Sequence, residues 1–399
     1  MTTFVIQYLE DSPELAALSA AEVGARLRAA FERLPFSAVL VGWNVPDALL
    51  DVCAEECRRA GVSLYRWHLL LCGDGAFMPQ PDWQTIGLTG KPIPGFQGKP
   101  EFTFVCPNQP EVLAVALGRA RAVLQDERYQ GIFLDRMRFP SPTADPESEL
   151  GCFCPACIHA AALEGLDLPA MRRDLLRLFG QPEKAVSCLR LLFGNEIAAE
   201  PELAPLQDFF RFRCRSINRL VRQIAGLAHS LGRMVGLDCF SPTLAGMVGQ
   251  DLAVLDQYAD WIKIMSYGHA LGPAGIPWEM LQLADWLTAK YSLDENDALA
   301  LVFSVARLPL PKSCAALRTS GLSSAALAAE VQRAKQIGVR RLLAGLELVE
   351  LPGIVELHPA QVVADYQAFR QAGADGLALS WDLRLIPLDR LELIRSQMI

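Results

Sequence analysis

The residues best suited to chemistry share one position in this sequence: each follows a short apolar run. Asp135 closes GIFLD, with Arg136 and Arg138 directly after it. Asp238 lies in RMVGLDCF, Glu347 in RRLLAGLEL, and Trp381 and Asp382 end DGLALSWD. Tyr8 and Glu10, Trp43 and Asn44, Trp67 and His68, and Tyr267 hold the same place after other runs. A buried strand that delivers a carboxylate at its C-terminal end is how a (β/α)8 barrel builds a site. A scaffold alone does not need this concentration of carboxylates and tryptophans, because barrel layers are filled by branched aliphatics. The plain alternative for Asp135 is a strand-end ion pair with a neighbouring arginine.

The mixture suits carbohydrate. Sugar rings stack their apolar faces on indole and bond through their edges to Asp, Asn, Arg and His. Hydrolysis of a glycosidic bond needs two carboxyl groups, one to protonate the leaving oxygen and one to attack or to activate water. The runs ending in Asp135 and Glu347 fall on opposite walls of an eight-stranded barrel, which makes these two the expected pair and Asp238 their rival. A separation of about 5 Å predicts retention with Asp135 as nucleophile, and about 6.5–9.5 Å predicts inversion.

DWIKIMSY (260–267) places Lys263, Met265 and Tyr267 on one strand face by alternation. If that face points inward, Lys263 is buried and must be paired or lose its proton. The pairing reading makes it the counter-ion of Asp135 or Asp238. The other reading makes it a Schiff-base amine, as in aldolases of this fold.

Cys152, Cys154 and Cys157 form C-x-C-x-x-C, with His159 close behind. Three thiolates and an imidazole have zinc-ligand composition, which would pin the surrounding segment. Free thiols in a packed loop are the alternative. Cys53 and Cys57, one helical turn apart, read as core residues. His269, Glu350 and His358 read as solvated loop residues.

The elements that must position these groups alternate strand and helix. Strands are expected at 3–9, 36–43, 62–71, 131–135, 233–240, 260–267, 340–348 and 375–381. Helices are expected at 18–34, 46–60, 111–126, 204–231, 244–258, 278–291, 323–337, 359–372 and from 388 to the end. Residues 293–320 give no clear pattern. RRAGVSLY, HSLGRMVG, KQIGVRRL and RQAGADGL each put a glycine between a helix and the next strand. Residues 73–110 are rich in glycine and proline without periodicity, and 141–201 form an insertion with one or two short helices. No glycine-rich phosphate loop follows the first strand, which disfavours a dinucleotide fold. The expectation is α/β: a single (β/α)8 barrel over residues 1–399, with long insertions after strands three, four and six.

With 51% hydrophobic residues the chain can fill a large core. Its net charge of -8 and lack of a lysine–arginine block argue against nucleic acid. MTTFVIQYLEDSPE lacks the basic start of a secretory signal, and no apolar run reaches the roughly 18 residues of a membrane span. Eleven cysteines, an odd number, suggest a reducing interior, so the cytoplasm is the expected address.

GIFLDRMRFP resembles the strand-four motif G-I-x-x-D-x-x-R-[FY]-P of glycoside-hydrolase-like barrel proteins, through Gly131, Ile132, Asp135, Arg138, Phe139 and Pro140. FRFRCRSINRLVRQI (210–224), GLDCFSP (236–242), DWIKIMSY and GADGLALSWD (373–382) are similar to later segments of such proteins. The resemblance implies a (β/α)8 fold and glycosidase-type chemistry, with Asp135 as a candidate catalytic residue. Lys263 and CFCPAC are not general features of that group and leave open a specialised branch or a non-hydrolytic activity.

The sequence therefore suggests an enzyme acting on a glycosidic bond of an oligosaccharide or glycoconjugate. Catalysis is assigned to Asp135, Glu347, Asp238, Lys263 and Tyr267, and needs no cofactor. Substrate contacts are assigned to Trp43, Asn44, Trp67, His68, Arg136, Arg138, Trp381 and Asp382, the arginines suiting an anionic sugar. A structural zinc is assigned to Cys152, Cys154, Cys157 and His159. The competing readings are a Schiff-base aldolase or lyase using Lys263 and a non-catalytic carbohydrate-binding barrel.

Overall fold

The computed structural model describes residues 3–195 and 200–398, so positions 196–199 of the expected insertion and the extreme termini lie outside the described residues. Eight parallel strands close into a barrel in sequence order. They are β1 (Thr3–Tyr8), β2 (Phe36–Val41), β3 (Ser63–Leu69), β4 (Gly131–Asp135), β5 (Met234–Phe240), β6 (Trp261–Met265), β7 (Leu342–Glu347) and β8 (Gly376–Ser380). The strands are almost wholly buried, as parallel strands covered on both faces must be, and this is why they read as apolar runs.

The outer layer begins with α1 (Ala20–Phe31), α2 (Asp47–Ala60) and α3 (Pro110–Gln125). After β4 come α4 (Pro146–Glu149), α5 (Pro155–Leu163), α6 (Leu168–Phe179) and α7 (Ala185–Phe193), then the long α8 (Ala204–Ser230). The insertion after β4 is thus far more helical than expected. Proline at the first turn starts α4, α5 and α6, and Asp145 and Asp167 cap α4 and α6.

A continuous helix over 244–258 does not form. Two one-turn helices, α9 (Pro242–Ala245) and α10 (Leu252–Leu255), flank a 3-10 turn (Gly246–Val248) that Gly249 ends at a left-handed φ of 83°. After β6 come α11 (Ile276–Tyr291), α12 (Glu295–Ala306), α13 (Cys314–Ser320) and α14 (Ser324–Ile337). Here α12 and α13 fill the stretch that had no clear pattern, with Asp294 and Ser313 as their caps. The chain closes with α15 (Pro359–Gln371) and α16 (Leu388–Ser396).

Inside the barrel, a floor of Val5, Ala38, Leu40, Tyr65, Phe133, Trp261 and Leu343 packs into one cluster. Trp261 stacks on Phe133 at 5.2 Å and meets the edge of Tyr65 at 5.8 Å. Two neighbouring strands make room for these rings by lacking a side chain. A Cβ at Gly131 would lie 2.3 Å from the Tyr65 ring, and one at Gly236 would lie 2.2 Å from Trp261. The polar cluster of Gln7, Asp238, Lys263, Tyr267 and Ser380 lies on the C-terminal side of this floor.

Candidate active site at the barrel mouth

The layer above the floor is polar and sealed. Pairing of Asp238 with Lys263 in the β5–β6 register sets the two side chains next to each other. Lys263 Nζ donates to Asp238 Oδ2 at 2.9 Å and to Gln7 Oε1 at 3.0 Å, and Lys263 is 0% exposed. Ser380 Oγ donates to Gln7 Oε1 at 2.9 Å and accepts from the Tyr267 hydroxyl at 3.0 Å. Burial disfavours the Lys263 ammonium, but Asp238 and Tyr267 more than reverse this, so its pKa stands above the ordinary lysine value. Burial pushes Asp238 up to about 7, with Lys263 opposing and Asp135 adding to the rise. Of the two partners expected for Lys263, the structure selects Asp238.

The layer above is half open. Asp135 ends β4 and is fixed by two donors. The Trp67 indole N–H reaches Oδ2 at 2.9 Å, and the Arg136 backbone N–H reaches Oδ1 at 2.5 Å. Arg136 takes a left-handed φ of 51°, at a cost of about 1–2 kcal/mol for a non-glycine residue. Its guanidinium lies over Phe102 at 4.2 Å and near Trp43 at 5.9 Å, donating to Glu101 O at 3.2 Å. Trp43 and Trp67 meet edge to face at 5.1 Å, and Trp381 meets Tyr267 at 5.8 Å.

Two further carboxyls stand at this level. Glu10, just past β1, is half-buried. Burial pushes it up to about 7, helped by Asp382 and Asp135 and opposed by Arg136. Glu347 ends β7 and is 3% exposed. Its Oε2 accepts the His269 N–H at 3.0 Å, its Oε1 has no partner, and burial pushes it up to about 7 against the pull of His269. Glu347 is thus tied to the loop after β6, whereas Glu10 and Asp238 are the carboxyls that sense the charge of Asp135.

Several expected substrate contacts are placed differently. His68 faces away from the mouth: alternation that turns Trp67 into the lumen turns His68 outward, where it is buried near Arg66 and Arg119 of α3. Those arginines add to burial in holding its pKa well below the ordinary value. Asp382 is fully buried, and both its oxygens are taken by the N–H groups of Leu9, Glu10 and Arg384 and by Arg384 Nε. It positions Glu10 and has no acceptor to spare for a ligand. Asn44 is exposed and donates to Asp11 Oδ2 at 2.9 Å. Arg138 is buried between the rings of Phe104 and Phe240, at 4.4 and 4.6 Å. Burial pushes it down to about 10, with Glu279 and Asp135 opposing.

Beside Arg138 a groove of about 460 Å³ opens on the same face. Phe96, Phe102, Trp278, Glu149 and Glu279 line it. Phe96 meets both Phe102 and Trp278 at 6.0 Å, and burial pushes Glu149 up to about 7. Sequence reasoning missed this groove because its walls come from loops without periodicity. Trp278, near the start of α11, was the one available signal.

Away from the lumen, the sulfurs of Cys106, Cys152, Cys154 and Cys157 all lie within 4.8 Å of one another, and all four residues are buried. This group could hold a metal ion. His159 does not belong to it. Two residues after Cys157 on α5, it falls on the exposed side of that helix, and Cys106, from the loop after β3, takes the fourth place.

No family model matches the chain, and no curated protein matches it. Solved structures do. The glycoside hydrolase domain of PgaB (BpsB) from Bordetella bronchiseptica aligns at a TM-score of 0.58 and 14% identity, over 100% of this chain and 98% of that one. The GH42 β-galactosidase Gan42B from G. stearothermophilus aligns at 0.55 and 11% identity, over 98% of this chain and 56% of that one. The α-L-fucosidase isoenzyme 2 from Paenibacillus thiaminolyticus aligns at 0.54 and 13%, over 99% and 48%. The barrel is one that glycoside hydrolases share. At these identities the likeness is one of fold, and the chain spans about half the length of the galactosidase and fucosidase. No helix among the described residues is long and apolar enough to cross a membrane.

Proposed function

We propose that the mouth of this barrel cleaves a glycosidic bond in an oligosaccharide or glycoconjugate, with Asp135 as nucleophile or base and Glu10 as proton donor. The observation that carries this reading is the arrangement of carboxyls around the end of β4. Asp135 is held by two N–H groups, and Glu10, which senses its charge, is pushed up to about 7. A carboxyl at that value donates a proton readily near neutral pH. Glu10 is preferred to Asp238 and Glu347 because it is partly exposed, whereas they are 2% and 3% exposed. Trp381, which is partly exposed, would offer a ring face to the sugar, the buried Trp43 and Trp67 would back Arg136 and Asp135, and Arg136 would bond to hydroxyls or to an acidic substituent. Asp238, Lys263 and Tyr267 would set the charge beneath the site. The shared fold with glycoside hydrolases adds an analogy. The reading treats residues 1–399 as one barrel with its insertions, and its chemistry uses side chains alone.

A Schiff-base mechanism at Lys263 requires a neutral amine, and the paired ammonium beside Asp238 is the opposite state. Borohydride with carbonyl substrates should trap no adduct.

The deciding experiment is turnover on a glycan panel by the parent and by Asp135→Asn, Glu10→Gln and Glu347→Gln. Asp135→Asn and Glu10→Gln should each lose about 10²–10⁴-fold in kcat with the fold intact by circular dichroism. A larger loss in Glu347→Gln than in Glu10→Gln would transfer the donor role to Glu347. Unchanged rates in Asp135→Asn, or glycan binding with no turnover in the parent, would overturn the reading.

A further inference from the structure

We propose that Cys106, Cys152, Cys154 and Cys157 form a tetrahedral tetrathiolate zinc site that staples the loop after β3 to the insertion after β4.

Geometry is the first argument. Zinc–sulfur bonds of about 2.3 Å in a tetrahedron put the sulfurs about 3.8 Å apart. Cys106 Sγ lies 3.3 Å from Cys157 Sγ and 3.4 Å from Cys154 Sγ, and the whole set fits within 4.8 Å. A small inward adjustment of free thiols or an outward one on loading gives the same site.

Hydrogen-bond supply is the second. Each sulfur has an N–H donor. Ile86 N donates to Cys152 at 3.4 Å, Asn108 N to Cys106 at 3.4 Å, Asn108 Nδ2 to Cys157 at 3.3 Å, and Cys157 N to Cys154 at 3.5 Å. Neutral thiols need no such donors. Metal-bound thiolates do, because outer donors orient the ligands and spread their charge.

Charge is the third and independent argument. Arg213 of α8 is 0% exposed, and its only hydrogen bond among the described residues goes to Met247 O at 2.7 Å. Its Nε and Nη2 have no partner, and among the described residues no carboxylate lies within ion-pair reach. It is packed against the rings of Phe139, Phe209 and Phe210. The charges it senses are those of Cys214, Cys152 and Cys157. A buried cation needs a counter-charge. Zinc with four thiolates is a doubly negative centre, and two of its ligands, Cys152 and Cys157, are among the groups that act on Arg213. Loading the site exchanges four thiol protons for one zinc ion, and the protons leave to solvent.

The staple joins segments that already touch. Gly87 bridges Gly151, and the Phe153 N–H donates to Ile86 O at 2.9 Å. One segment carries Phe102 and Phe104, which cover Arg136 and Arg138, and the other carries Glu149 of the groove. The metal would therefore hold two walls of the mouth in register.

The test uses the full chain purified without chelator. Elemental analysis should find about one zinc per chain, and cobalt substitution should give the charge-transfer and ligand-field bands of a tetrahedral tetrathiolate. Cys106→Ser should weaken zinc by at least about tenfold and alter the cobalt bands. His159→Ala should do neither. Alkylation mapped by mass spectrometry needs no variant: a chelator should expose these four cysteines together. Well under one zinc, iron in its place, alkylation unaffected by chelator, or a Cys106→Ser protein that binds like the parent would each overturn the assignment.

Discussion

Lys263 and Arg213 are both sealed from solvent, yet the protein treats the two cations differently. In the lumen, Lys263 meets a carboxylate at 2.9 Å and an amide oxygen at 3.0 Å, so its charge is answered by side chains supplied by the barrel strands. Under the insertion, Arg213 meets aromatic rings and a carbonyl, and no carboxylate among the described residues. The first site is electrically complete as folded. The second is complete only with anionic sulfur beside it, which is what metal binding creates. A buried charge without a carboxylate is therefore informative: it marks where something else must supply the opposite sign.

Three experiments bear on this contrast. The largest effect should come from Asp238→Asn, which leaves Lys263 as an unanswered buried charge. Urea unfolding should show a loss of about 3–5 kcal/mol, and adding Lys263→Met should recover most of it. A loss below about 1 kcal/mol would mean that the lumen pair is not what balances Lys263.

The next effect is a pH dependence in the lumen. Glu347 rises from 4.5 to about 7 on folding, so the folded state holds this proton more tightly than the unfolded chain. Its contribution is fully present below about pH 4.5 and is lost as pH rises through about 7. Stability should fall over that window by up to about 1.4 kcal/mol per pH unit for this group. Glu347→Gln should flatten the slope, and an unchanged slope would assign it elsewhere.

The smallest effect concerns the other cation. Arg213→Gln should weaken zinc retention by about tenfold, or about 1.4 kcal/mol, in competition with a chelating dye. Equal retention would break the charge argument while leaving the cysteine geometry untouched.

The barrel was legible because its strands are buried on both faces and therefore read as apolar runs, and because Gly61, Gly232, Gly338 and Gly373 lie at the expected helix-to-strand joints. Strand alternation also brought Lys263 inward onto Asp238. The same rule, applied to Trp67, would have turned His68 outward. What stayed hidden depended on distant segments. Cys106 meets the C-x-C-x-x-C run only because the loop after β3 folds back onto the insertion. Phe96 and Phe102 have no period that would pair them with Trp278. The raised state of Glu10 comes first from burial and then from Asp382, at the other end of the chain, whose carboxylate closes over its backbone.

The stacked rings of Phe133 and Trp261 have a consequence for traffic. They close the lumen from below, so in the proposed function a substrate would have to approach from the C-terminal rim. A molecule that reaches Asp135 must arrive and depart by the same opening. A long polymer cannot thread through. In the proposed reaction it would lie across the rim or dip one end inside, and the product would have to clear that opening before the next substrate entered.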